Sequence, residues 1–391
     1  MDYPNRREFL HKSASVTAGL AAAGLIPRRI FGEESTGFNR IVYRMLGSTG
    51  YKVSEVGFGA MNMRNPELVH AAIDNGINYI DTAHGYMRGR NEEVIGEVMK
   101  TKRDMVFLTT KVHENNPDEM MKMMETSLKR LQTDHVDLFL LHGAGKRESI
   151  LNEDTMKVFD TARKKGMTRF AGISTHATRE DVLDSIMESK FWEAVLITYN
   201  YMSPQSVTAS IKKIREAGIA VIGMKNMLSP ASYPWQPLAD MRKDKTGEMT
   251  AAQALIKWVL NDTYMDTTIP GITSFEQLQD DIDLMTMKMT YDDHRTLLRY
   301  GERIRGYYCH GVSGCTGCVD QCPKGVCIRD INRCLSYANS YGDLNLAWEN
   351  YRQLPKSSRV DTCGDCDECV VKCLNGLNLT ENINKAKELF A

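Results

Sequence analysis

The sequence predicts an α/β chain in two parts, a (β/α)8 barrel followed by a small, cysteine-rich and mainly helical domain. Between residues 41 and 287, short apolar and β-branched segments alternate with amphipathic segments. This alternation is typical of parallel strands connected by helices. All ten cysteines lie after residue 308, so the end of the chain has a different chemistry. The length of 391 residues accommodates one large and one small domain.

The first 34 residues are predicted to be a leader segment and not part of the two folded domains. Arg6-Arg7-Glu8-Phe9-Leu10 precede a short, weakly apolar stretch from Ser13 to Ile26, which resembles a twin-arginine export signal. The sequence therefore predicts export to the periplasm or the outer face of the membrane, with a cytoplasmic protein as the alternative. We expect three segments: a leader over 1–34, the barrel over 35–290, and a helix plus cluster domain over 291–391.

Eight segments predict the barrel strands, after a hairpin around Gly47–Gly50 that closes the barrel floor. The predicted strands are Val56–Ala60, Tyr79–Thr82, Met105–Lys111, Val136–His142, Phe170–Thr175, Ala194–Tyr199, Ile219–Met224 and Thr267–Ile272. A doubly wound open sheet is the alternative. It requires a glycine-rich fingerprint after its first strand, and the segment Gly57–Ala60 lacks the third glycine.

Composition excludes two classes of partner. The formal net charge is −1 and no basic stripe is present, so nucleic acid has no electrostatic footprint. No apolar run reaches the roughly 18 residues that a membrane span needs. Residues 227–249 are polar and aromatic without a clear period, and a barrel loop of this length often covers a site.

Polar side chains follow three neighbouring predicted strands. Asp81 and Tyr86 follow the second strand, Lys111 ends the third and His142 ends the fourth. The carboxyl ends of barrel strands share one rim, where active sites lie. A nearby ammonium stabilises a phenolate and lowers the pKa of the tyrosine, and a histidine can donate to a substrate oxygen. These residues therefore predict a general acid beside a polarised carbonyl.

Several segments resemble the aldo-keto reductases over roughly residues 40–287. They are Gly57–Met61, Asn78–Tyr86, Lys111, Asp137–His142 and Gly172–Ser174. The resemblance implies that Tyr86 is the general acid/base, that Lys111 and Asp81 tune it, and that His142 orients the substrate. It also implies a nicotinamide across the barrel mouth and a small carbonyl or hydroxyl substrate. His84 matches none of these positions, so a structural role and a substrate contact both stay open.

The same resemblance implies the residues of the cofactor site. They are Gly59, Ala60, Met61, Ser174, Thr175, Lys225, Ile269, Gly271, Gln277, Asp280 and Asp281. The lysine and arginine that NADPH-preferring members place near positions 271 and 277 are absent. A carboxylate at Asp280 or Asp281 would repel a 2′-phosphate and accept from a free ribose hydroxyl. The cofactor is therefore expected to be NAD(P)H, with NADH favoured. For Lys225 two interpretations stay open: it contacts a phosphate of the cofactor, or it is a solvated lysine at the rim of the barrel.

The cysteine spacings predict two 4Fe–4S clusters in a ferredoxin-like arrangement, in which the fourth cysteine of each run ligates the other cluster. One predicted set is Cys309, Cys315, Cys318 and Cys373, and the other is Cys322, Cys363, Cys366 and Cys369. Zinc and disulfides are alternatives. The spacing after Cys309 is irregular, so this ligand is the least regular of the eight. Cys327 and Cys334 are left over: either both are buried thiols, or one of them replaces Cys309 as a ligand.

The leading hypothesis is an oxidoreductase that exchanges a hydride between NAD(P)H and a carbonyl or alcohol, with clusters that transfer electrons to or from a carrier protein. Nicotinamides exchange two electrons and clusters one, so a direct connection needs an intermediary. The alternative is a nucleotide-binding or redox-complex subunit without enzymatic activity, in which the clusters are structural. Leu196 and Met224 depart from the family pattern around the nicotinamide and favour this alternative.

Overall fold

The structure is a computed structural model, and it describes most of the chain after residue 39. The described residues are 40–178, 180–232, 243–313, 315–318, 321–364, 366 and 369–390. The predicted leader over 1–34 lies outside them, as does the middle of the 227–249 loop. In the described part, no helix is both long and apolar enough to span a membrane.

The central element is a sheet of eight parallel strands in sequential order, β3 to β10. The strands of the chain are β1 Tyr43–Met45, β2 Lys52–Ser54, β3 Phe58–Gly59, β4 Tyr79–Asp81, β5 Phe107–His113, β6 Val136–His142, β7 Thr168–Thr175, β8 Ala194–Thr198, β9 Ala220–Met224 and β10 Thr267–Thr268. Parallel bridges from Val56 to Thr268 and from Gly59 to Gly271 connect the first and last strands. The sheet is thereby closed, which confirms the predicted barrel and excludes the open sheet.

Thirteen α-helices occur in the described part of the chain. They are α1 Pro66–Asp74, α2 Arg90–Lys102, α3 Pro117–Leu131, α4 Arg147–Ile150, α5 Glu153–Lys164, α6 Glu180–Ser189, α7 Gln205–Glu216, α8 Ala251–Leu260, α9 Phe275–Thr286, α10 Tyr291–Ile304, α11 Ile328–Asn339, α12 Leu344–Gln353 and α13 Leu379–Phe390. Side-chain caps explain several helix starts. Thr250 and Gln253 form the predicted capping box of α8.

The hairpin of β1 and β2 closes the bottom of the barrel, as predicted. Leu46 and Val53 are fully buried and pack with apolar side chains inside the barrel. Gly47, between the two strands, has a φ of +51°, and a Cβ there would lie 2.5 Å from the backbone nitrogen of Ala220. Glycine is required here because both the left-handed conformation and the close approach exclude a side chain. The opposite, carboxyl-terminal rim stays available for a site.

Helix α10 packs against α8 of the barrel. Leu255 of α8 is buried in one cluster with Leu297 and Tyr300 of α10. The sequence-based division at residue 290 separates these two helices, whereas their apolar faces bury each other.

The C-terminal helices α11, α12 and α13 share a core of their own, and α11 and α12 contribute side chains to a cavity at the carboxyl ends of the strands. Ser340 donates to the carbonyl of Pro230 at 2.6 Å, and Asn339 donates to that of Ala231 at 2.6 Å. Arg88, beside the barrel rim, pairs with Glu349 of α12 at 2.9 Å. The cysteine-rich region therefore forms a wall of the space above the barrel.

Candidate active site

Lys111 lies at the centre of the predicted site, on β5. Its side chain is fully buried, and its three ammonium protons have three acceptors. The Nζ atom lies 2.5 Å from Oδ1 of Asp81, 2.7 Å from the carbonyl of Thr82 and 3.3 Å from the hydroxyl of Tyr86. The structure thus brings three of the four predicted catalytic residues into one hydrogen-bonded group.

Tyr86 is positioned by a short turn of 3-10 helix, Tyr86–Gly89. Met87 and Arg88 within this turn have φ values of +51° and +56°. Arg130 of α3 supports the approach to the turn by donating to the carbonyl of His84 at 3.1 Å. Met87 and Arg88 thus adopt a left-handed backbone conformation that is unfavourable for residues with side chains, and a hydrogen bond from α3 supports the neighbouring segment.

The predicted lowering of the tyrosine pKa is wrong for this structure. Burial raises the pKa of Tyr86 well above its ordinary value, and the Asp81 carboxylate raises it further. Lys111 is close to the phenol, but its charge is matched by Asp81 at a shorter distance. Tyr86 is therefore protonated over the neutral pH range, as a proton donor must be.

His142, the fourth predicted residue, lies beside the same phenol. The ring centroids of His142 and Tyr86 are 5.8 Å apart. The imidazole of His142 also stacks on that of His113, with a centroid distance of 4.4 Å. Burial lowers the pKa of His142 well below its usual range, and the nearby His113 and Lys111 lower it further. The imidazole is therefore neutral. Its Nδ1 atom is buried and has no hydrogen-bond partner within the described residues.

One cavity connects these predicted catalytic residues to the C-terminal helices. Its lining includes Tyr86, His113, His142, Ser174, His176, Met224, Lys225, Tyr337, Glu349, Asn350 and Gln353. His113 is the last residue of β5 and His176 follows β7, so the strand-end rule that identified His142 also applies to them. Tyr337 and Asn350 lie on α11 and α12, and no pattern in the sequence connects these helices to the barrel.

The comparisons agree with this geometry. The profile of the Aldo/keto reductase family matches residues 55–234, which contain all four predicted catalytic residues. Over these residues the barrel is similar to the aldo/keto reductase family. The chain is therefore an NAD(P)-dependent oxidoreductase. The cysteine-rich region lies outside the matched residues.

Relatives and solved structures cover the barrel as well. The uncharacterized oxidoreductase YqkF of Bacillus subtilis is 25% identical over an alignment of 278 residues, which covers 61% of this chain and 89% of that protein. The aldo-keto reductase AKR11C1 of Bacillus halodurans in its holo form is 23% identical with a TM-score of 0.55, covering 66% of this chain and 96% of that one. An aldo-keto reductase of Klebsiella pneumoniae in complex with NADPH is 23% identical with a TM-score of 0.54, covering 66% and 95%. The structural likeness shows the barrel fold.

Around the expected nicotinamide position of the barrel, the predicted residues divide into two kinds. Ser174 lines the cavity, whereas the Thr175 hydroxyl accepts from the backbone N–H of Ala177 at 3.0 Å. Leu196 is buried among the apolar side chains inside the barrel, so its departure from the family pattern fills the core.

Gly59 and Gly271 face each other where the barrel closes. A Cβ on Gly59 would lie 2.6 Å from the carbonyl oxygens of both Ile269 and Pro270, so this glycine is needed for packing. No atom lies within 4 Å of the corresponding position on Gly271. The neighbouring Ala60 is buried, and Met61 lines the cavity while packing against the core of the C-terminal helices.

The acidic residues expected at the adenosine end lie on α9. Gln277 accepts from the backbone N–H of Thr273 at 2.7 Å and so helps to form the start of the helix. Burial raises the pKa of Asp280 to about 6, and burial raises that of Asp281 well above its ordinary value. The prediction that these carboxylates favour NADH remains a prediction.

The first predicted thiol set is drawn together by two loops. Burial, together with the neighbouring Cys318, Cys373 and Cys315, raises the pKa of Cys309 to about 12. Asn375 donates to the Sγ atom of Cys315 at 3.5 Å. These neighbours are the same four cysteines that the spacing assigns to one cluster.

The second set lines one cavity, which contains Cys322, Cys363, Cys366 and Cys369. Lys324 donates to the carbonyl of Cys363 at 2.8 Å. In the described residues, no group of three or more His, Cys, Asp or Glu side chains is arranged to hold a metal ion as it stands. The metal-ligand assignment therefore stays a prediction.

The two remaining cysteines have other partners. Cys327 donates its thiol proton to Asp330 at 2.8 Å, and burial raises its pKa to about 11. Cys334 is fully buried in the apolar core of the C-terminal helices. Both are protonated thiols, and all ten cysteines are free of disulfide bonds.

His84, whose Nδ1 atom lies 3.1 Å from the hydroxyl of Ser127, has a structural contact rather than a place in the cavity lining.

Proposed function

We propose that this enzyme exchanges a hydride between a nicotinamide nucleotide and a small carbonyl or alcohol substrate. The observation that carries the proposal is the buried Lys111, which bridges Asp81 and Tyr86 beside the cavity that His142 lines. The unpartnered Nδ1 atom of His142 and the cavity position of Ser174 fit a bound substrate and nicotinamide.

When bound, the nicotinamide supplies or accepts the hydride. In the direction of reduction, the protonated Tyr86 donates its proton to the substrate oxygen. Lys111 keeps a positive charge next to the phenol as negative charge develops, and Asp81 holds that ammonium in place. The neutral imidazole of His142 donates an N–H to the same substrate oxygen. Because the surrounding groups are already oriented, little reorganisation is needed during the reaction.

Replacement of Tyr86 tests this proposal. We expect Tyr86→Phe to lower kcat about 10²- to 10⁴-fold, the usual contribution of a positioned proton donor. Tyr291→Phe is a matched control because that tyrosine is 79% exposed, on α10. Nicotinamide-linked turnover that survives Tyr86→Phe would contradict the assignment. Absence of both nucleotide binding and turnover in the native chain would favour the non-enzymatic alternative.

We also propose that the cofactor is NAD(P)H with NADH favoured. Asp280 on α9 supports this preference because, above its pKa of about 6, a 2′-phosphate near it would meet negative charge. The Klebsiella pneumoniae relative was solved with NADPH, so the two nucleotides have to be compared directly. Fluorescence titrations should give a lower Kd for NADH. A Kd for NADPH that is ten-fold lower or more would overturn the preference.

We further propose that the C-terminal cysteines hold two 4Fe–4S clusters for electron transfer with a carrier protein. One cluster would be held by Cys309, Cys315, Cys318 and Cys373. The other would be held by Cys322, Cys363, Cys366 and Cys369. The neighbour relations of the thiols support this grouping. Clusters supply one-electron redox chemistry when present. Anaerobic purification should yield about eight iron atoms per chain with matching sulfide. Zinc or no metal in their place would refute the clusters.

Export by the twin-arginine route is a separate proposal. The paired Arg6 and Arg7 before an apolar stretch support it. In a bacterial host with an active pathway, the native chain should appear in the periplasmic fraction, and Arg6→Lys/Arg7→Lys should retain it in the cytoplasm. Equal distribution of the two chains would support the cytoplasmic alternative.

A further inference from the structure

Lys225 is the cationic group of the cavity that the proposed mechanism does not use. It follows β9 directly and has a φ of +60°, a conformation that is costly for a residue with a side chain. Its Nζ atom donates to the hydroxyl of Tyr341 at 3.3 Å. The same atom lies 4.5 Å from the ring centroid of Tyr337 and 5.0 Å from that of Tyr341. Aromatic side chains of α11 and the loop after it therefore hold the ammonium in the cavity.

The charge of Lys225 has no carboxylate partner among the described residues. Burial acts to lower its pKa, but the interactions with Tyr337 and Tyr341 outweigh burial and raise the pKa of Lys225 above its ordinary value. The carboxylates near the cavity are engaged elsewhere. Asp81 pairs with Lys111, and Glu349 pairs with Arg88. Lys225 is half-buried. A charged ammonium that is partly withdrawn from water without a counter-ion is costly, so an anionic ligand would stabilise it.

Other groups around the cavity add to its positive character. Arg333 lies behind Tyr337, with its Nη1 atom 3.5 Å from the phenol oxygen. Burial lowers the pKa of His176, and the positive charges of Arg333 and Lys225 lower it further. Asp330 offsets part of this charge at 3.4 Å from Arg333. The electrostatic environment above the catalytic residues thus favours a negatively charged ligand.

We propose that Lys225 binds a carboxylate of the substrate, so that the enzyme acts on carbonyl or hydroxyl compounds that carry an acid group. This inference rests on the proposed hydride exchange and names its substrate class. Lys225 lines the same cavity as Tyr86 and His142, so one small molecule can present its carbonyl to these two residues and its carboxylate to Lys225. Specificity then depends on the C-terminal domain, because Tyr337 and Tyr341 hold the lysine in place.

The test compares matched aldehydes with and without a carboxylate, using the full chain prepared anaerobically. The pairs are succinic semialdehyde with butanal and glyoxylate with acetaldehyde. We expect the native enzyme to prefer the acid in at least one pair. Lys225→Met should lower that preference, measured as a ratio of kcat/KM values, by about 10- to 100-fold, the usual loss for one charge-assisted hydrogen bond. Lys225→Arg should retain most of it, and Tyr341→Phe should lower it less.

Two measurements separate this inference from the function on which it rests. Lys157→Met is the control for charge, because Lys157 is an exposed lysine of α5, and it should leave the ratio as in the native enzyme. Calorimetry with succinate measures carboxylate binding without turnover. Weaker succinate binding in Lys225→Met supports the inference even if no aldehyde is reduced. An unchanged ratio and unchanged succinate binding would overturn it. So would a loss confined to NADPH affinity, which would assign Lys225 to the cofactor phosphate.

Discussion

The buried ion pair of Lys111 and Asp81 gives a prediction about stability that follows from its geometry. Lys111→Met removes the ammonium and leaves a carboxylate whose side chain is only 2% exposed. The second oxygen of Asp81, Oδ2, already lacks a hydrogen-bond partner in the described residues. After the substitution, Oδ1 loses its partner as well, so the charge is buried without compensation.

The magnitude is estimated from the cost of breaking a buried pair. Removal of one partner typically destabilises a protein by about 3–5 kcal/mol. Adding Asp81→Asn removes the stranded charge and leaves a neutral amide with unmade hydrogen bonds, which costs about 1–3 kcal/mol. The double variant should therefore be more stable than Lys111→Met by about 2 kcal/mol. The surface variant Lys100→Met is the control, because its pair with Glu97 is exposed and contributes less than about 1 kcal/mol.

The sign of the pH dependence provides a second check. Burial raises the pKa of Asp81 in the native protein, and attraction by Lys111 opposes this rise. Without Lys111, the folded-state pKa rises further above the unfolded value. The folded variant then binds more protons than the unfolded chain, so its unfolding free energy falls as pH rises from about 4. The difference from the native protein should be larger at pH 8 than at pH 5.

Urea unfolding of the anaerobic full-length chain measures these differences. Trp192 is buried at the barrel and reports on its unfolding by fluorescence. Comparison of the native chain, the two single variants and the double variant at both pH values yields the coupling between the residues. A loss below about 1 kcal/mol for Lys111→Met, or a loss that does not change between pH 5 and pH 8, would refute the reasoning.

Three further predictions concern the glycine, carboxylate and cysteine positions. Gly59→Ala should destabilise the barrel by about 1–3 kcal/mol in urea unfolding, whereas Gly271→Ala should not, because only Gly59 meets backbone oxygens at 2.6 Å. Asp280→Asn should stabilise the protein by about 1 kcal/mol at pH 7.5, after allowance for its partial exposure, with the gain lost toward pH 4. This sign follows because burial raises the folded-state pKa of Asp280 to about 6. Cys366→Ser should lower the iron content by about half, and Cys334→Ser should leave it unchanged, as measured by iron analysis.

The sequence by itself determined the barrel and which polar residues meet at its rim. Apolar strand segments alternate with helices, so the period of the pattern specifies eight parallel strands. Because parallel strands end at one rim, residues such as Asp81, Lys111 and His142 had to meet there. The cysteine spacing likewise predicted which thiols become neighbours, since short loops permit few arrangements.

Only the tertiary structure decided the electrostatics and the cover of the site. Whether Lys111 lowers the pKa of Tyr86 depends on burial and on the distance to Asp81, and the pKa proved to be raised. The contact of Lys225 with Tyr341 joins residues 116 positions apart. Such contacts depend on how two separately folded surfaces fit together. No local period in the chain encodes that fit, so α11 and α12 could not be assigned to the cavity in advance.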